Sequence, residues 1–148
     1  MKKISNVIII IIGTYSLFFA TNAILPPILA NFGYYDLSGK ITFWLSGACH
    51  QKPTHTFWLL GFPLALCCRC FGFYIGCVVS SIFVLLKNIK INKFIILVTS
   101  YGIIDLFINY VLSINTGRYS KFISGICLGI IFIIITKYIL KKEEEEEE

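Results

Sequence analysis

Carboxylates are scarce in this sequence. Apart from a terminal run of glutamates at 143–148, its acids are Asp36 and Asp105, and no glutamate stands elsewhere. That excludes a zinc hydrolase of the His-Glu-x-x-His kind, which needs a glutamate on the metal-binding helix as its base. Charge of either sign is also low, at 14% of residues against 57% hydrophobic, with a mean hydropathy of +0.80. Soluble domains carry about 25% charged residues. A soluble core of 148 residues cannot enclose this much apolar surface, so lipid must cover part of it. There is no long internal repeat either, which sets aside solenoid architectures.

What is present is a set of apolar segments. A membrane-spanning helix needs about 20 mainly apolar residues, and four stretches approach or reach that. The first is residues 6–30, with an isoleucine run at 8–12; Pro26 and Pro27 should kink or end it near its far side. The second begins at 67–70 and runs to 86, the third covers 94–112 and the fourth 122–140. The first follows Lys2 and Lys3 and could pass for a signal peptide, with Ala23 near a cleavage site. It continues to Ala30, longer than the apolar region of such a peptide, so a retained span is expected. The fold expected is all-α: a polytopic membrane protein of about four transmembrane helices. A single integral membrane domain (1–142) would be followed by a solvated, disordered acidic tail (143–148).

The net charge of +5 has a layout. Lys2, Lys3, Lys87, Lys90, Lys93, Lys137, Lys141 and Lys142 fall on one side of the four spans. Lys40, Lys52, Arg118 and Lys121 fall on the other, with Arg69 at a helix edge. Basic residues gathered at span ends set topology and argue against nucleic-acid binding. The excess marks the cytoplasmic side, so a multi-pass protein of the cell membrane with both termini cytoplasmic is expected. The bilayer is its expected partner, and self-association into a homo-oligomer is left open. Residues 31–66 then face outward. Tyr34, Tyr35, Phe43, Trp44, Phe57 and Trp58 suit the headgroup level. Residues 57–66 are apolar but too short to span, and Gly61 and Pro63 interrupt them, as in an interfacial or re-entrant piece.

Six cysteines are present. Cys77 and Cys127 lie in apolar stretches and read as small packing residues. Cys49 with His50, and Cys67, Cys68 and Cys70 around Arg69, lie at the outer side. Three thiols and an imidazole are the ligand types of a tetrahedral zinc site, and thiolates also accept copper(I) or an iron–sulfur cluster. Cys49, His50, Cys67 and Cys70 are the candidate ligands of zinc or another transition metal. Arg69, Asp105, Asn109, Asn115 and Arg118 are candidates to support that site or to bind its ligand. The same residues permit redox chemistry, because a helix N-terminus and a neighbouring arginine favour the reactive thiolate. They also permit a plain structural role, as buried thiols or one disulfide.

Asp105 falls near the middle of the third span, where an ionisable side chain is costly and usually has a partner. Arg69 is the candidate counter-ion, and Tyr101 and Asn109 share its helix face. Asn115, Gly117 and Arg118 read as an outer turn whose arginine could meet an anion or a headgroup. Gly72 with Gly76, and Gly125 with Gly129, are small-xxx-small pairs that let helices approach closely in lipid. His55, near Trp58, reads as an interfacial residue.

Cys49-His50-Gln51-x-Pro53, then Cys67-x-Arg69-Cys70-x-Gly72-x-Tyr74-x-Gly76, Asp105, Asn115-x-x-Arg118 and Gly125 together resemble the predicted membrane proteins called domain of unknown function 2085. The resemblance covers roughly 47–129. Four positions depart from the pattern: His55 stands for Arg, Cys68 for Ala, Asn109 for Gln and Ser124 for Thr. The resemblance implies a membrane protein and carries no established activity. Metal binding is the leading functional expectation. A quinone-linked thiol–disulfide oxidoreductase is the second, by analogy of architecture with four-helix membrane enzymes that have a Cys-x-x-Cys at the outer end of a helix. A small transporter or proton pathway using Asp105 is the third. The substrate is not legible.

Overall fold

A computed structural model describes residues 2–86, 93–111 and 116–146. Its long helices are α1 (Lys2–Asn31), α3 (Cys68–Leu86), α4 (Lys93–Tyr110) and α5 (Arg118–Glu146), with a short helix α2 (Tyr35–Leu45) after α1. Three stretches, Ile4–Asn31, Cys68–Leu86 and Arg118–Glu143, are long and apolar enough to cross a membrane. The exposed isoleucine, phenylalanine and tyrosine side chains along them are the surface that lipid covers. The architecture is that of an all-α membrane protein.

The centre of the bundle is the crossing of α3 and α5, and glycine makes it. A Cβ added at Gly72 would strike the Phe122 carbonyl, and one at Gly76 the Ile126 carbonyl. In return, Gly125 sits on the Arg69 carbonyl and Gly129 on that of Phe73. The two glycine pairs interlock, so the backbones meet without side chains between them. This contact replaces the hydrophobic driving force that lipid removes. Cys77 is buried beside it and donates to the Gly129 carbonyl at 3.7 Å. Cys127 is buried as well, in line with its expected packing role.

α1 passes through Pro26 and Pro27 instead of ending there. A proline lacks the N–H that would bond four residues back, so Pro27 leaves the Ala23 carbonyl without its helical donor. The Ala65 N–H supplies one at 3.1 Å, from the outer segment. Beside it, the Ser38 hydroxyl donates to the Pro26 carbonyl at 2.9 Å. The prolines thus open α1 to side bonding, and α2 and the outer segment dock there.

The outer segment is more regular than expected. α2 exposes Phe43 and Trp44 and carries an exposed Asp36–Lys40 ion pair. A 3-10 turn at Pro53–His55 follows. Next comes a two-stranded hairpin, β1 (Trp58–Leu59) with β2 (Phe62–Pro63), turned at Leu60 and Gly61. Both turn residues have positive φ, +54° and +83°, as two-residue hairpin turns require. At the other end, α5 runs on through Glu146, since glutamate is a good helix former added to a helix already nucleated. The first glutamates of the tail therefore continue a helix.

Candidate metal centre

Cys67 and Cys70 stand three residues apart at the start of α3 and so share one helix face. Cys68 points elsewhere and is fully buried, which settles its part in the cluster: it takes none. Cys49 comes from the segment after α2. The sulfurs of Cys49, Cys67 and Cys70 all lie within 4.8 Å of one another. All three are free thiols, and the Cys67 N–H donates to the Cys49 sulfur at 3.2 Å.

Main-chain bonding holds the three in place. The Gln51 amide donates to the Thr42 carbonyl at 2.7 Å and to the Ala65 carbonyl at 2.9 Å, tying α2 to the segment that leads into α3. Gln51 itself has φ +49°, a left-handed bend that follows the Cys49-His50 step. Thr56, fully buried, donates to the Leu66 carbonyl at 2.7 Å, next to Cys67. Behind the thiols lie Phe19, Ala23, Leu45, Ala65 and Leu66, with Tyr74 stacked on Phe19 at 5.0 Å. Gln51 and Thr56 are structural anchors that the motifs pointed past. A glutamine between a Cys-His step and a proline was the available signal.

The electrostatics separate the thiols. Hydrogen bonding from Cys49, then from Cys70, pulls the Cys67 thiol far below its ordinary value, against the effect of burial. Sharing a proton with Cys67 raises the Cys49 thiol, and burial adds to the rise. Of the two, Cys67 is the thiol shifted toward the thiolate and Cys49 the one shifted away from it.

His50 is exposed and stands outside this cluster. It lines an adjacent cavity of about 370 Å³ together with Lys52, His55, Cys67, Arg69 and Lys121. Asn109 and Tyr110, at the end of α4, complete the lining. His55 is held below its ordinary value by burial first, then by the charges of Lys121 and Lys52.

Arg69 turns from the thiols to α4. Its Nη2 donates to Asp105 at 2.8 Å, and its Nε to Ser124 at 3.4 Å. The other Asp105 oxygen accepts from Thr116 at 3.0 Å and from Ser120 at 2.9 Å. Asn109 donates to the Asp105 carbonyl and to Thr116, both at 2.7 Å, and Tyr101 bonds Ser120 at 3.1 Å. The counter-ion expected for Asp105 is the one found. The bonding of Asp105 by the hydroxyls of Thr116, just before α5, and of Ser120, with Ser124 on Arg69, was not anticipated, because single serines and threonines give no sequence signal of their partners. Arg118 opens α5 and donates to the Thr54 carbonyl at 3.3 Å, apart from the thiols. Asn115 lies outside the described residues.

The donor set suits a metal. In a tetrahedral zinc–thiolate centre with bonds of about 2.3 Å, the sulfurs lie about 3.8 Å apart. The three sulfurs here, all within 4.8 Å of one another, are compatible with that spacing.

Comparison with known proteins places the arrangement. A family model described as a predicted membrane protein, domain of unknown function 2085, matches residues 49–135, a span holding the three thiols, Arg69 and Asp105. An uncharacterized protein of Methanothermobacter thermautotrophicus is 29% identical over 93 residues, 60% of this chain and 84% of that protein. The uncharacterized protein MJ1492 of Methanocaldococcus jannaschii is 47% identical over 34 residues, 23% of this chain and 22% of its own length. No solved structure matches. With more than half of its length inside the family model, this chain belongs to the domain of unknown function 2085 family of predicted membrane proteins.

Proposed function

We propose that the protein is an integral membrane metal-binding protein whose Cys49, Cys67 and Cys70 hold a zinc or copper(I) ion at the outer membrane face. The observation that carries this reading is the convergence of three free thiols within 4.8 Å. Two come from one turn of α3 and the third from a segment pinned by Gln51 and Thr56. Soft thiolates select these metals over harder ions. Three ligands leave one position of a tetrahedral ion open, as catalytic and transfer sites do. His50, next to Cys49 in the chain, is a candidate for that position. Four crossings with both termini cytoplasmic, and the cell membrane as location, are part of the proposal and rest on the lysine distribution.

The test is elemental analysis of protein purified in mild detergent, alongside a count of alkylatable thiols. About one equivalent of metal per chain, lost on changing Cys67→Ser, supports the reading. Metal-free protein with two thiols missing until reductant is added would overturn it. That result would support the second reading, a thiol–disulfide oxidoreductase, which one observation favours: the free Cys49 sulfur accepts the Cys67 N–H at 3.2 Å and lies within 4.8 Å of both thiols of the Cys-x-x-Cys. Asp105, by contrast, accepts bonds from Arg69, Thr116 and Ser120, which supports a role in joining helices over one in moving protons.

A further inference from the structure

We infer that the cavity beside the thiols is an anion-binding site that takes a phosphate-type oxyanion. The outer segment brings Lys52 to it, α3 brings Arg69 and α5 brings Lys121. No aspartate or glutamate is among its lining residues. Asp105 lies beneath, bonded to Arg69, and offsets one of the three positive charges. A thiolate at Cys67, or a divalent ion on three thiolates, offsets one more. The balance is positive with the lone thiolate or with zinc, whereas copper(I) on three thiolates would offset two charges and leave none, so the site belongs to the metal-free or zinc-loaded protein.

The donors suit an oxyanion. Arg69 commits Nη2 and Nε to Asp105 and Ser124, while Nη1 has no hydrogen bond among the described residues. A guanidinium anchored in this way presents a fixed edge to an incoming oxygen. Lysines add point charges, and the Tyr110 hydroxyl adds a neutral donor at the rim, while the Asn109 amide is already committed to Asp105 and Thr116. α3 and α5 both begin at this end, so the positive ends of two helix dipoles meet here against the negative end of α4. About 370 Å³ holds a phosphate group with room for its substituent. At the expected headgroup level, that group is either free phosphate or the phosphodiester of an anionic lipid.

The experiment is calorimetric titration of the full-length protein, in a phosphorus-free maltoside detergent, with inorganic phosphate at constant ionic strength. Native mass spectrometry with phosphatidylglycerol, against diacylglycerol, forms a second arm. Saturable binding is expected, weakened about tenfold by Lys52→Gln or by Lys121→Gln, since each removes one charge-assisted hydrogen bond. Lys40→Gln, on a lysine paired with Asp36 outside the cavity, should leave it unchanged. Should Lys121→Gln not fold, Lys52→Gln, with its exposed side chain, carries the test. Retention of phosphatidylglycerol in competition with phosphate identifies a headgroup as the ligand. Phosphate binding without lipid retention identifies a free oxyanion, and both outcomes uphold the site. Neither ligand binding, or binding unaltered by Lys52→Gln, overturns it. Binding that vanishes when metal is chelated also overturns it, because the anion would then sit on the metal.

Discussion

Changing Asp105 to asparagine keeps the side chain's shape and keeps an oxygen for Thr116 and Ser120, but removes the charge facing Arg69. The pair it breaks is short, at 2.8 Å, with Asp105 3% exposed and Arg69 21% exposed. At an effective dielectric constant near 20, the attraction at that distance is about 6 kcal/mol before desolvation is subtracted. Breaking a buried pair by removing one partner costs about 3–5 kcal/mol, because the other charge stays behind. Asp105→Asn should fall near the lower end, since water reaches part of the stranded guanidinium. Arg69→Met should fall near the upper end, since the stranded carboxylate is almost fully enclosed and keeps only hydroxyl donors. The double variant strands no charge. It should be more stable than the sum of the single losses implies, by about 2–3 kcal/mol. Reversible unfolding in mixed maltoside and dodecyl sulfate micelles, followed by circular dichroism, measures all three. Additivity within about 0.5 kcal/mol would refute the reasoning and show that the two charges do not stabilise each other.

Four further outcomes follow from the same geometry. Gly76→Ala and Gly129→Ala should each destabilise by about 1–3 kcal/mol, as overpacked sites do, because a Cβ would collide with backbone of the facing helix; Gly39→Ala, with open space around it, should not, and the same unfolding assay compares them. Gln51→Ala should leave the Thr42 and Ala65 carbonyls without their donor, costing about 1–3 kcal/mol and loosening metal retention in a chelator competition. Zinc at one hundred times its dissociation constant should stabilise the folded protein by about 2.7 kcal/mol, and Cys70→Ser should abolish that gain in a thermal melt. In metal-stripped protein at pH 6, iodoacetamide should modify Cys67 ahead of Cys49. The sign follows from the opposite shifts: a lowered thiol keeps its thiolate below the ordinary range, and a raised one does not. Peptide mass spectrometry reads the order.

The helices were legible because lipid imposes length and apolarity on the sequence itself. The second span was placed from 67–70 to 86 and is found at Cys68–Leu86. The third was placed at 94–112, where the helix Lys93–Tyr110 is found, although α4 is not, among the described residues, one of the three stretches long and apolar enough to cross a membrane. α5 starts four residues earlier than 122, because Arg118 anchors its first turn on Thr54 instead of belonging to a loop. The outer segment was legible only as interfacial: α2 and the hairpin are too short to leave a periodic signature. The pairing of Arg69 with Asp105 could be read, since each needs the other in an apolar setting. The thiols Cys49, Cys67 and Cys70 were named from the Cys-x-x-Cys spacing, whereas the place of His50 outside their cluster was not. Adjacent cysteines at 67 and 68 differ by about 100° around a helix, and only the start of α3 decides which one faces Cys49.

The proline pair in α1 bears on the order of assembly. Until the Ala65 N–H docks, the Ala23 carbonyl of α1 has no helical donor, because Pro27 cannot supply one. An orphan carbonyl in an apolar setting costs several kcal/mol. That cost is relieved when the Ala65 N–H arrives, immediately upstream of Cys67. The first helix thus carries an acceptor filled by a later segment, and the bond ties the chain to α1 two residues before Cys67. A donor restored at position 27 would close that acceptor inside α1 and leave the outer segment to find its register without a guide.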